Sequence, residues 1–553
     1  MRYIFYILVF LANGLMAQST ALDHAYLSTD NITVHITPTG IHADKDGNGF
    51  VFNGVSGLPI NLLSHLTPWI AGLDPAGNIH ISCELDAQKP SDWKAGYRNI
   101  PNSDKVWKVT QEQIGLHLSD YLDNGIIDNP IPEVFAWPGR GNPFSLEYNG
   151  FEIPSDWTTL TAGYFDTNEN GQYDPENGEY PTVIIRGGTF WLAPDQMAFS
   201  IFYNDTIGDL TKGFSTATEV AFQSFTFNCN NDPVMENSVF LAYKCRNFGV
   251  ERMDSCFFGI YSNFDIGNPN DDYLGCDLYP YKDFIYAYNA DTLFDSRAGP
   301  KPPIVGLNFL RGPLDSNAME LNLKKVMPIL ANASNPALRF PTFIGEYYNY
   351  LSGSWRDGTP LTYGGIGYGG NTLADAPFTG LPSDGNAWSE LSANNPLGDR
   401  RAVSTFQDFT LLPGAVNELI VSISASNSGS LTENLEELRT FNYLHRLINE
   451  YHNDDLHDIC FPTIATHQPS KTNEISIFPN PGNDHVTVHS SASPIEEITL
   501  FNMLGHWVGK QKSSAGTTHA LSMETGSLPP GVYLVSWRLQ DGTMGSGNVV
   551  VGR

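Results

Sequence analysis

Basic residues are scarce: 30 Lys and Arg stand against 60 Asp and Glu in 553 residues, for a formal charge of -30. A chain this acidic is repelled by phosphate backbones, which excludes nucleic acid as a partner and favours cations. Cysteine is scarce as well. Six residues (Cys83, Cys229, Cys245, Cys256, Cys276, Cys460) suit an oxidising compartment but are too few to scaffold so long a chain. Cys245 and Cys256 flank a strand-turn-strand pattern, so a local bridge and a pair of unpaired buried thiols both remain open. Beyond the first residues no run reaches the roughly 20 apolar positions needed to cross a bilayer, so the mature chain is expected to lack a transmembrane segment. No G-x-S-x-G, H-E-x-x-H or C-x-x-C is present, which removes the commonest signatures of serine hydrolases, zinc proteases and thiol redox proteins. A non-catalytic role is therefore expected.

What is present begins with MRYIFYILVFLANGLMAQ, where Arg2, an apolar run from Tyr3 to Ala12 and the small Ala17 form a secretory signal, residues 1–17. Residues 18–460 read as a large β-rich, sandwich-like body of one or two domains. Stretches such as SVFLAYKCRNF and NELIVSISAS are rich in β-branched and aromatic residues, with Gly and Pro clusters between them. Near the end of the body Leu435, Leu438, Phe441, Leu444, Leu447, Ile448 and Tyr451 fall at helical spacing, which predicts one amphipathic helix with Thr432 as N-cap. Residues 461–474 read as a linker. Residues 475–553 read as short strands at even spacing, a small immunoglobulin-like β-sandwich. The fold class expected is mainly β.

DTNENGQYDPENGEYP (166–181) carries the densest chemistry. Asp166, Asn168 and Asn170 occupy positions 1, 3 and 5 of a calcium loop, Gly171 permits the turn, Gln172 offers a carbonyl at 7, and Asp174 stands at 9. Calcium takes six to eight hard oxygens, which alternating side chains around a turn bring to one point. Asn177 replaces the glutamate of position 12, so Glu176 or Glu179 is expected to complete the shell. A second candidate, NFDIGNPNDDYLGCD, crowds Asp265, Asp271, Asp272 and Asp277, carboxylates that repel unless a cation separates them. The stretch DYLDNGIIDN is expected to be a turn, as is DKDGNG. GIGYGG matches a dinucleotide pattern formally but lacks the strand and helix that give it meaning, so it reads as surface loop.

IFPNP (477–481), ITLFNMLGHWV (498–508), LPPGVYLVSW (528–537) and VVV (549–551) follow one another in an order and spacing that resemble the type A C-terminal sorting domain of the type IX (Por) secretion system of Bacteroidota. The resemblance implies Sec-dependent passage of the inner membrane, type IX export with residues 475–553 engaging that machinery, and release or attachment at the cell surface. The body, with LTPWIAGLDPAGNIHIS (66–82) and LGDRRAVSTFQDFTLLPG (397–414), looks like the uncharacterised N-terminal region of such exported proteins. The function expected is structural or adhesin-like, with loops stabilised by calcium and a surface glycan or protein as ligand. The alternative is a secreted hydrolase of polysaccharide or protein.

Overall fold

The computed structural model describes residues 23–53, 59–86, 90–186, 188–189, 194–228, 233–278, 283–289, 302–440, 475–479, 484–491, 493–502, 507–513, 518–526, 528–529, 531–540 and 544–551. The secretory stretch 1–17, the linker 461–474, Cys229 and Cys460 lie outside the described residues.

Between residues 23 and 440 two large sheets, of ten and nine strands, stack on a shared apolar layer. Strand Ser238–Asn247 shows why the sequence builds such a layer. Val239, Leu241, Tyr243 and Cys245 alternate into the shared core, while Ala242, Lys244 and Arg246 face outward and are half-buried. Leu66, Phe258 and Ala402 meet this core from the ten-stranded sheet, and Leu307 and Val421 from the nine-stranded one. In the nine-stranded sheet Val416–Ser426 pairs with Ser238–Asn247 on one side and Ile304–Arg311 on the other. In the ten-stranded sheet Met253–Phe264 lies between Ile60–Leu73 and Arg400–Phe406.

Each sheet also carries an outer apolar layer. Trp107, Trp137, Tyr173 and Phe199 cover the nine-stranded sheet. Trp69, Tyr261, Tyr347 and Trp355 cover the ten-stranded one, with Trp69 stacked on Tyr261 at 5.3 Å.

The chain is mainly β, and it adds helices that the apolar spacing does not reveal. Gln111–Asn124 is opened by a capping box between Thr110 and Gln113 and closed by Gly125 at φ 79°. This places Asp120 and Asp123 on a helix, not in a turn, and Asp120 Oδ2 accepts the Asn129 N–H at 2.7 Å. Ile344–Ser352 forms a second such helix. The expected late helix is helical over 431–440, and its remainder lies outside the described residues. Its N-cap is Ser430 instead of Thr432, because the Glu433 carboxylate accepts Ser430 N–H at 2.6 Å and Ser430 Oγ accepts Glu433 N–H at 3.4 Å. Leu435 and Leu438 are buried in the outer layer of the nine-stranded sheet. DKDGNG is a turn, closed by Gly47 N–H to the Asp44 carbonyl at 3.0 Å.

Residues 475–551 form a separate small sandwich of three and four strands over a core that includes Val486, Val488, Ile498, Leu500, Val535 and Val549. Cys83, Cys245, Cys256 and Cys276 are free and buried, so of the two alternatives for Cys245 and Cys256 the unpaired one is observed.

Candidate functional site

The acidic stretch 166–179 hangs from a two-stranded ladder in which Phe165 pairs with Tyr180 and Tyr164 with Pro181. The Phe165 and Tyr180 rings stack at 5.1 Å, which pinches the excursion closed. Inside it the acceptors turn back on the backbone. Asp166 Oδ2 accepts Gly171 N–H at 2.7 Å, Asn168 Oδ1 accepts Asn170 N–H at 3.0 Å, and Asn170 Oδ1 accepts Gln172 N–H at 2.7 Å. Gly171 sits at φ 75°, the left-handed conformation that the turn requires. Tyr173 is buried and donates its hydroxyl to the Val134 carbonyl at 2.8 Å, which anchors the loop to the body. A Cβ on Gly178 would stand 2.5 Å from the Tyr121 ring, so helix Gln111–Asn124 packs directly on the far end of the loop.

Glu179 closes the stretch from beneath. Its side chain is buried at 0% exposure; Oε2 accepts Asp174 N–H at 2.7 Å, and Oε1 has no partner. Burial, with the charges of Asp166 and Asp174 adding to it, pushes its carboxyl up to about 7. Asp174 Oδ2 accepts from Asn177 Nδ2 at 2.6 Å. Asp166, Asn168, Asn170, Asp174 and Glu179 thus share one loop, while the Gln172 side chain lies outward against Gly141. Among the described residues no three carboxylate, imidazole or thiol groups converge closely enough to form a cation shell unaided. Amide and carbonyl oxygens would have to supply the rest of any shell here.

Of the second set, Asp265 and Asp271 lie near enough for their charges to act on Asp272, the three do not by themselves converge into a cation shell, and Asp277 lies apart. Asp265 Oδ2 accepts Ser64 Oγ–H at 2.6 Å, and Asp271 accepts from Asn268 at 2.8 Å and Asn289 at 3.1 Å. Asp272 is 0% exposed; Oδ2 accepts Ile266 N–H at 3.1 Å and Oδ1 has no partner. Burial, then the charges of Asp271 and Asp265, push its carboxyl far up. Asp277 lies at the opposite end of strand Asp272–Asp277, paired with Arg439 at 2.7 Å.

Beside the first loop lies a hollow of about 350 Å³ on the outer face of the nine-stranded sheet. Register explains the hollow. Ile201, Ala221, Lys244 and Glu418 form one cross-strand row and Phe199, Gln223, Ala242 and Ile420 the next, so two alanines leave space between larger neighbours. Asp166, Tyr164, Trp157 and Arg140 form its wall. Trp157 is 72% exposed, and the Arg140 guanidinium lies 3.6 Å from its ring centre. In the sequence Trp157 is marked only as a tryptophan set in the polar run PSDWTT.

Comparison with known proteins bears on the other end of the chain. Residues 476–550 match the family described as the secretion system C-terminal sorting domain. The chain carries a type IX sorting domain. The match covers the small sandwich, so that sorting domain is the unit built on Val486, Leu500 and Val535. Its presence makes the protein an export substrate, secreted or attached at the cell surface, that engages the type IX machinery. No helix among the described residues is long and apolar enough to cross a membrane. No curated protein matches the chain. A solved structure of a polysaccharide lyase overlaps 74% of this chain at 11% identity and a TM-score of 0.20. The chain spans 42% of that protein's length, and the superposition carries no activity across to the body fused to the sorting domain.

Proposed function

We propose that this exported protein is a non-catalytic, adhesin-like binding protein, and that calcium holds the 166–179 loop as one wall of its ligand site. The observation that carries the reading is the exposed Trp157 beside a hollow whose wall includes Asp166. Glu179 Oε1, buried and without a partner, is the oxygen a cation would complete. Asp166, Asp174 and Glu179 supply charge, and the amide oxygens of Asn168 and Asn170 with the Gln172 carbonyl supply neutral donors. These are the hard oxygens calcium takes. Asp265, Asp271 and Asp272 form a second candidate on the same logic, with Asp272 Oδ1 as the open position.

The two carboxylates that line the hollow are engaged in structure. Asp166 accepts turn N–H groups, and Glu418 pairs with Lys244 at 2.9 Å and accepts Arg186 N–H at 2.7 Å. That favours binding over hydrolysis, which needs a free acid and base.

The test is the melting temperature of the mature chain with calcium, with magnesium and with chelator. A calcium-specific rise of several degrees that Asp166→Ala abolishes supports the reading. Identical melting in all three overturns the calcium part of it.

A further inference from the structure

The Trp157 hollow is one of three that adjoin. A second, of about 510 Å³, lies between the segments 99–101 and 152–156; a third, of about 540 Å³, lies across the Asn99–Pro101 ridge against Tyr203. The second and third share Asn99, Ile100 and Pro101 as a common wall. Asp156 in the second is the chain neighbour of Trp157 in the first, and the two segments are tied together. Gly141 N–H reaches the Pro154 carbonyl at 3.0 Å, and Arg140 donates to the Asp156 carbonyl. The second hollow is therefore neighbour to both the first and the third.

We propose that this series of neighbouring hollows is the binding site for a neutral saccharide chain, with Trp157 as its stacking platform. The inference rests on the reading of the body as a binding protein and names the ligand class for the same site. A pyranose has an apolar C–H face that lies flat on an indole, and a rim of hydroxyls that exchange hydrogen bonds with amides and carboxylates. Trp157 offers the indole already held: the Arg140 guanidinium lies over its ring, Arg246 donates to its carbonyl at 2.7 Å, and the residue is still 72% exposed. A platform held in place before binding loses little freedom when the ligand arrives. The rim beyond it is polar and exposed, with Asn99, Asn102, Asp104 and Glu152. Asp104, Glu152 and Asp156 make the second and third hollows negative, and in the first Arg140 and Lys244 are offset by Asp166 and Glu418, so the site offers no net positive charge to hold a uronic-acid or sulfated polymer, which favours a neutral one. Three hollows in succession suit a chain in preference to a single sugar.

The experiment is calorimetric titration of the mature full-length protein, in calcium, with the β-1,4-linked hexasaccharides of glucose, xylose, mannose and N-acetylglucosamine, with their disaccharides, and with hexagalacturonate. At least one neutral hexasaccharide is expected to bind, its disaccharide about tenfold or more weaker, and hexagalacturonate not at all. Trp157→Ala should weaken binding by about tenfold or more with an unchanged melting temperature, and Trp157→Phe should restore most of it. No binding by any neutral hexasaccharide, equal affinity for a disaccharide, preference for hexagalacturonate, or indifference to Trp157→Ala each overturns the proposal. An extended peptide that binds in a Trp157-dependent way, where the saccharides do not, overturns the ligand class and leaves the binding reading standing. Saccharide binding that persists in chelator overturns the calcium-held wall and leaves the saccharide site standing.

Discussion

The Asp174 N–H donates to Glu179 Oε2 at 2.7 Å, while the other Glu179 oxygen, equally buried, has no partner. The carboxylate is half satisfied, and its ionisation is the weak point of the loop.

That gives a pH dependence with a definite sign. In the unfolded chain Glu179 ionises near its ordinary value of 4.5, and in the folded, cation-free chain only near about 7. The folded state therefore holds the extra proton, and the stability it contributes is full below about pH 4.5 and lost as pH rises through about 7. The loss is at most about 3 kcal/mol, less whatever solvent reaching the loop screens. Melting in chelator should fall from pH 5 to pH 8, and Glu179→Gln should flatten that slope. Calcium should flatten it too in the unaltered protein.

Asp272 should respond to neutralisation in the same direction. Asp272→Asn removes a carboxyl that must take up a proton to stay buried beside a single N–H donor, and should raise the melting temperature in chelator by an amount matching about 1–2 kcal/mol. With calcium present the gain should vanish if the three carboxylates hold an ion. A drop in chelator would mean that the ionised form is the one the fold needs.

Glu390 and Arg400 meet at 2.9 Å with both side chains out of solvent, and Glu390 also accepts Leu274 N–H at 2.8 Å. Arg400→Leu strands that carboxylate and should cost about 3–5 kcal/mol in denaturant unfolding. Replacing an exposed pair such as Lys45 with Asp46 should have no measurable effect.

Ser430→Ala removes the hydroxyl half of the capping box at the late helix and keeps the backbone N–H that the Glu433 carboxylate accepts. The expected loss is about 1 kcal/mol, read as a fall of about 1–2 °C in melting temperature. Thr432→Ala, inside the helix, should leave melting unchanged.

Deleting residues 476–550 should leave the protein inside the outer membrane, measured by fractionation of a type IX-competent host. Appearance at the surface or in the medium at unchanged yield would contradict the role of that segment.

The sorting domain was legible because its signal is local: IFPNP, LPPGVYLVSW and VVV are contiguous strings tied to turns and strands. The 166–179 loop was legible for the same reason. Helix Gln111–Asn124 was not, although Thr110 and Gln113 spell a capping box. Its buried face is Ile114, Gly115 and His117 while Leu116 and Leu122 are exposed, so the apolar pattern gives no amphipathic stripe. Trp157 was illegible because its exposure depends on Arg140 and Arg246, brought to it from elsewhere in the chain. The parting of Asp277 from Asp272 follows from strand geometry: both lie on one extended segment, and only its first residue reaches the other two carboxylates.

Strand Val416–Ser426 joins the two halves of the nine-stranded sheet, and it is among the last body strands to be synthesised. Until it arrives, Ser238–Asn247 and Ile304–Arg311 each present an unpaired edge, the kind of edge that recruits foreign strands. The keystone is thus delivered late, shortly before the export address follows. A chain truncated before residue 416 would lack both the strand that closes its body and the segment that names its destination, so incomplete products would be both sticky and barred from the surface.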